Sequence, residues 1–101
     1  MELTSHGVVA LVERNGKYLL LCDNREPMMG KWAPPHGRCV EEDGTEENGV
    51  IREVEEETGL SIKPIRKVWT VPADTKVKTV SFWEVRMVGD ETIRLDLSAL
   101  S

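Results

Sequence analysis

Cysteine is scarce in this chain. Only Cys22 and Cys39 occur in 101 residues, too few for a disulfide framework and consistent with two buried or free thiols in a reducing cytoplasm. Long apolar runs are also missing. The longest, Val8-Val9-Ala10-Leu11-Val12 and Tyr18 to Cys22, fall far short of the ~20 residues that a membrane helix needs, so no membrane partner is expected. The opening residues MELTSHG carry neither a basic stretch nor an apolar core, so a secretory leader is not expected. There is no repeat, low-complexity tract or linker, and residues 1–101 read as a single domain. Basic residues are outnumbered: 13 Lys and Arg stand against 18 Asp and Glu, for a net charge of −5. An acidic surface repels a phosphate backbone, so stable nucleic-acid binding is not expected. The composition, 40% hydrophobic and 31% charged, is that of an ordinary soluble domain, and a cytoplasmic location is expected.

The acid is unevenly placed. Half of the Asp and Glu residues lie between Glu41 and Glu57. Within that stretch Arg52-Glu53-Val54-Glu55-Glu56-Glu57-Thr58-Gly59-Leu60 reads as one helix. At about 100° per residue, Glu53, Glu56 and Glu57 share roughly a third of its circumference. Val50, Ile51 and Val54 form an apolar stripe on the other side, able to face a core. Clustered carboxylates repel one another in water, and a hard divalent cation between them turns that cost into a gain. A Glu-rich helix face can equally be plain solvated surface.

The remaining elements follow from periodicity and turn chemistry. Gly7 to Glu13 and Lys17 to Asp23 read as strands joined at Arg14-Asn15-Gly16, a hairpin signal. Asn24 to Gly30 reads as loop, and so does Trp32 to Gly44, with a short strand near Arg38-Cys39-Val40. Thr45 is a plausible N-cap, and Glu46 and Glu47 then complement the helix dipole. Gly49 allows close approach of a strand or loop, at a cost of about 1 kcal/mol relative to alanine. Gly59 fits the left-handed position that ends a helix, with Leu60 packing back. Ile62 to Val71 and Val77 to Val88 read as two strands around the turn Pro72-Ala73-Asp74-Thr75. The second strand has apolar groups on both faces, which points to a central position.

The span Gly37 to Leu60 resembles the Nudix box, GX5EX7REUXEEXGU with U aliphatic. Its second half matches at Arg52, Glu53, Val54, Glu56, Glu57, Gly59 and Leu60. Its first half is one residue too long. Either the loop carries an insertion, with Asp43 at the family's glutamate position, or Asp43-Gly44 replaces the usual Gly-Glu pair. His6 to Cys22 resembles the opening strands of a Nudix domain. Gly30-Lys31-Trp32-Ala33-Pro34-Pro35-His36-Gly37 resembles the approach to its loop, with a six-residue likeness to the dinucleoside polyphosphate hydrolase branch.

The resemblance implies an α+β fold, a mixed β-sheet with the Nudix helix packed on it. It also implies Mg²⁺- or Mn²⁺-dependent hydrolysis, by water, of a pyrophosphate bond in a small nucleoside diphosphate-linked substrate. Carried over, Glu56 and Glu57 are the main metal ligands, and Glu53 is a ligand or holds the attacking water. Arg52 positions a carboxylate, and the backbone carbonyls of His36 and Gly37 complete the coordination. Arg25, Arg38, His36 and Trp32 are candidates for substrate binding. Each also has a plainer reading, as a surface arginine, a solvated loop histidine or a buried tryptophan. His6 reads as structural, and Glu91 is the one obvious late acid besides Asp90 and Asp96. The altered loop and short C-terminus motivate an alternative, a catalytically weak or inactive Nudix-fold module that binds a nucleotide or protein. Relatives commonly close the other sheet face with a second helix, and here little chain remains for one. Residues such as Trp83 are therefore expected to be exposed, and a homo-oligomer, most plausibly a dimer, is expected to cover them.

Overall fold

A computed structural model describes residues 3–22 and 30–88. After a 3₁₀ turn at Leu3–Ser5 come seven strands and one helix: β1 (His6–Arg14), β2 (Lys17–Tyr18), β3 (Leu21–Cys22), β4 (Trp32–Ala33), β5 (His36–Arg38), α1 (Glu46–Thr58), β6 (Ile62–Pro72) and β7 (Thr79–Met87). A second 3₁₀ turn, Glu41–Asp43, precedes the helix. The main sheet runs β2-β1-β7-β6, with β5 paired antiparallel to β1 at its opening residues. Strands β1 and β7 are parallel, and β6 and β7 are antiparallel. β3 and β4 form a separate two-stranded ribbon. This is the mixed-sheet α+β architecture read from the sequence, with β7 central as expected.

The hairpin between β1 and β2 turns at Asn15 and Gly16, both at positive φ. β2 pairs for only two residues, shorter than the strand expected through Asp23. The short strand foreseen at Arg38 to Val40 lies slightly earlier, at His36–Arg38.

Alternation decides which side of the sheet carries the helix. Val8, Ala10 and Val12 of β1 and Trp83 and Val85 of β7 are buried, and they meet Val50 and Val54 of α1 with Cys39, Leu60 and Ile62. The helix begins as expected, Thr45 Oγ1 accepting from Asn48 N at 3.2 Å. It ends at Gly59, whose φ of 75° is the left-handed conformation that an L side chain resists. Leu60 then packs back, 1% exposed. Gly49 meets the strand-to-loop segment: a Cβ there would lie 2.9 Å from Cys39 Sγ.

Trp83 corrects an expectation. It is 7% exposed, on the helix side. The parity of β7 explains this, because Ser81, Trp83 and Val85 point to α1. The other face carries Val9 and Leu11 of β1, Val80 and Phe82 of β7, and Trp69 and Val71 opposite them on β6. Trp69 is 61% exposed and meets Phe82 edge to face at 5.8 Å. The edge strand β6 holds Pro64 and two register shifts, both devices that discourage pairing with another strand. No helix among the described residues is long and apolar enough to cross a membrane.

Leu60 ties the helix end to the core, so Leu60→Ala is expected to cost about 3 kcal/mol. Urea unfolding reads this as a lower midpoint with an unchanged slope. A shift of less than about 1 kcal/mol would show that the helix end is not anchored as described.

Candidate active site

Arg52 is the hub of the site. Its Nε and Nη2 grip Asp43, at 2.8 Å to Oδ1 and 3.1 Å to Oδ2. Nη2 also donates to the Arg38 carbonyl at 3.1 Å. Nη1 donates to Glu53 Oε1 at 2.9 Å and to Glu56 Oε2 at 3.1 Å. One planar guanidinium thus joins the loop, the end of β5 and two helix carboxylates, which a lysine ammonium could not do with this geometry.

Asp43 is the loop carboxylate that Arg52 holds. It is buried, accepts from Val40 N at 2.9 Å, and its backbone carbonyl accepts from Asn48 Nδ2 at 2.9 Å. Of the two loop residues in question, Asp43 is the one that Arg52 grips, and Gly44 turns the chain at φ 76° before the helix starts. The Arg52 hydrogen bond holds the Asp43 carboxyl below its ordinary value of 3.8, against burial, with help from the Val40 N–H.

Glu53 points the other way, into the protein. A Cβ on Gly37 would overlap its carboxylate, so only glycine leaves room for it. Burial pushes the Glu53 carboxyl up; Arg52 partly offsets this, while Glu56 and Asp43 add to it. The fold alone therefore holds a carboxylate that it would rather keep neutral, and a further cation would relieve that cost.

The remaining candidates separate. Glu56 is exposed and Glu57 half-buried. Glu56 joins Glu53 through Arg52, and among the described residues no three His, Cys, Asp or Glu side chains converge as a ready metal cluster. The donor chemistry still fits Mg²⁺ or Mn²⁺: all-oxygen ligands, one half-buried in a glycine cradle, others on exposed, adjustable side chains. Gly37 and His36 lie opposite Val8 and Val9 in the ladder. Gly37 faces α1, so the pleat turns the His36 and Arg38 side chains to the opposite face, away from Glu53. His36 Nδ1 donates to the Pro34 carbonyl at 2.8 Å, and Arg38 Nε to the Thr4 carbonyl at 2.7 Å. Trp32 is 59% exposed, not buried at a strand end. Arg25 and Glu91 lie outside the described residues. Cys39 is buried beside the site, and burial, then Asp43 and Glu46, push its thiol up to about 11, so it is no nucleophile. The sequence reading placed Glu46 only in the helix dipole; in the structure its carboxylate also meets Lys67 and His6.

The lowered Asp43 pKa is a stability statement with a definite sign. Its contribution is complete above the ordinary value of 3.8 and is lost as pH falls through the depressed folded value. Asp43→Asn is expected to cost about 2 kcal/mol at neutral pH, less than a fully buried pair because Arg52 is partly exposed. Urea unfolding from about pH 7 down to about pH 2 should show the gap between variant and native protein closing on the acid side. A gap independent of pH would exclude an ionised Asp43 as the partner of Arg52.

The chain matches the family model described as NUDIX domain over residues 2–94. No curated protein matches it. Among solved structures, a NUDIX hydrolase from Nitrosomonas europaea superposes with a TM-score of 0.81 at 20% identity, over 94% of this chain and 53% of that one. This chain thus spans about half the length of that protein. A MutT protein from Methanosarcina mazei gives 0.71 at 28% identity, over 95% and 72%. An ADP-ribose pyrophosphatase from Streptococcus suis gives 0.69 at 24% identity, over 95% and 82%. With Arg52, Glu53, Glu56 and Glu57 on one helix and the family model spanning almost the whole chain, the protein belongs to the NUDIX domain family.

Proposed function

We propose that this domain hydrolyses a pyrophosphate bond in a small nucleoside diphosphate-linked substrate, with Mg²⁺ or Mn²⁺ as cofactor. The observation that carries this reading is the Glu53 carboxylate held against Gly37 and bridged to Glu56 by Arg52. A solvated surface helix needs neither a glycine cradle nor an inward-facing carboxylate whose charge the fold disfavours. Glu53, Glu56 and Glu57 would hold the cation, with the His36 and Gly37 carbonyls as further oxygen donors. Bound there, it would neutralise the pyrophosphate and lower the pKa of an attacking water. The chain's own residues would supply position: Arg52 links Glu53 and Asp43, and Glu53 would bind the cation or hold the attacking water. ADP-ribose and dinucleoside polyphosphates are the substrates favoured by likeness, through the Streptococcus suis protein and the Trp-Ala-Pro-Pro-His-Gly approach respectively.

A second reading is a binding module that recognises a nucleotide or protein without hydrolysis. The absence of a gathered three-carboxylate cluster among the described residues favours it. The two separate in one assay: product release from nucleoside triphosphates, dinucleoside polyphosphates, ADP-ribose and nucleotide sugars, with Mg²⁺ and with Mn²⁺. Metal-dependent turnover of one class is expected, falling by about 10² or more in Glu56→Gln and in Glu57→Gln while both remain folded. Turnover that survives in either variant excludes the metal assignment, and binding without turnover establishes the module.

We also propose a homodimer in which a second copy covers the sheet face bearing Trp69, Val71 and Phe82. Edge pairing through β6 is blocked by its proline and register shifts, which leaves face-to-face packing of the apolar side. Sedimentation velocity at micromolar concentration should give a dimer that Trp69→Glu converts to monomer. A native protein that runs as a clean monomer overturns this.

A further inference from the structure

The helix is held at a second point, two turns before the catalytic glutamates. Glu46 precedes Glu53 by seven residues, so the two lie on the same face of α1 and both point toward the sheet. Glu53 reaches Gly37 of β5. Glu46 reaches across the same sheet face toward β6, where Lys67 Nζ donates to its Oε2 at 3.0 Å and His6 Nε2 of β1 lies 2.9 Å from its Oε1. His6 is itself buried between strands. Its Nε2 is 2.7 Å from Ser81 Oγ of β7, its Nδ1 meets the Thr79 hydroxyl, and Ser81 is hydrogen-bonded to Thr70 Oγ1 of β6 at 3.0 Å. Three strands thus converge on one helix carboxylate.

Two features mark this as more than a surface ion pair. First, the Glu46 Oε1 is buried from solvent and lies 2.9 Å from His6 Nε2, so its contacts come from the strands and not from water. The Thr79 hydroxyl can donate to Nδ1 or accept from it, so the strand side adapts to either form of the ring. Second, β6 is deformed to deliver Lys67. The register shifts between Pro64 and Arg66 and between Lys67 and Trp69 set Lys67 opposite Trp83, on the helix side, while Arg66 pairs with Glu84 on the other face. Without the first shift Lys67 would stand opposite Phe82, on the far face, and re-aiming a side chain in this way is what bulges do. Burial alone would raise the Glu46 carboxyl. Lys67, His6 and Ser81 together outweigh it and hold the group below its ordinary value.

We infer that Glu46 is a positioning residue for the proposed hydrolysis: clamped by His6 and Lys67, it sets the roll and slide of α1 and so the place of Glu53 against Gly37. Apolar packing alone does not fix that setting. Val50 and Val54 pack in a cluster that includes Cys39 and Trp83 through non-directional contacts, whereas a carboxylate gripped by two strands has a fixed direction. Displacement by about 1 Å at reacting groups can cost on the order of a hundredfold in rate. Because Glu46 lies two turns from Glu53, it acts through the helix and not on substrate. The inference rests on the hydrolase reading for its consequence in catalysis, but the positional coupling itself does not.

The test compares Glu46→Ala, Glu46→Gln and Arg66→Ala with the native chain, by ¹⁵N-detected NMR without ligand, by Mn²⁺ titration and by steady-state kinetics on whichever substrate the panel identifies. Glutamine is the conservative variant. Its carbonyl can accept from Lys67 while its amide donates to His6, which the Thr79 hydroxyl permits. Glu46→Ala is expected to move the Gly37 and Glu53 amide signals, to weaken Mn²⁺ binding about tenfold and to lower kcat at least tenfold with KM within about twofold. Glu46→Gln should recover most of each effect. Arg66→Ala, which removes the exposed pair with Glu84, should change none of them. Gly37 and Glu53 signals that stay in place in a folded Glu46→Ala protein overturn the inference. So do moved signals with unchanged Mn²⁺ affinity and unchanged kcat in an active enzyme, which would leave Glu46 merely structural. A native protein that hydrolyses nothing while Glu46→Ala still moves Gly37 and Glu53 removes the hydrolase reading and leaves the clamp standing.

Discussion

The grip of Arg52 on Asp43 is the constraint from which the site hangs. A guanidinium has five donors in one plane, and here they go to two carboxylate oxygens of the loop, one strand-end carbonyl and two helix glutamates. Asp43 sits at 4% side-chain exposure and Arg52 at 27%. The desolvation of such a pair is costly, and the pair is retained because breaking it would strand a buried charge. Its value here lies in geometry. Helix, loop and strand end are forced into one relation, and Glu53 is carried into the only opening that Gly37 leaves.

Around that hub the helix face is divided. The stripe of Val50 and Val54 supplies cohesion with β1 and β7. The carboxylates beside it supply direction: Glu46 toward β1 and β6, Glu53 toward β5, Glu56 outward. Cohesion is non-directional and would allow the helix to settle in several rotations. Directed polar contacts select one. Buried polar groups of this sort cost stability unless every partner is present, and His6 and Lys67 stand within reach of Glu46.

Much of this was legible along the chain. Thr45 as cap, Gly59 as left-handed stop and Leu60 as the returning apolar residue follow from chemistry within four residues of each helix end, and all three stand as read. The hairpin at Asn15-Gly16 and the central place of β7 are of the same local kind. Trp83 was not legible, because alternation gives two faces and does not say which one meets the helix. Of the two readings open for Trp32, burial at a strand end fails, since it is 59% exposed. Glu46 gave no signal either, since a first-turn glutamate already has an explanation in the helix dipole.

The linear order of residues thus determined the elements, their ends and the membership of Arg52, Glu53, Glu56 and Glu57 in one helix-borne motif, because propensity, capping and periodicity act over a few residues. Tertiary structure decided the rest. It chose Asp43 as the loop carboxylate, set Gly37 against Glu53 across sixteen residues of chain, and turned His36 and Arg38 to the far face. It also brought His6, Lys67 and Ser81 together around Glu46. Each of these depends on strand register and on which side of the sheet the helix buries, and both are set by long-range pairing that no local stretch of sequence contains.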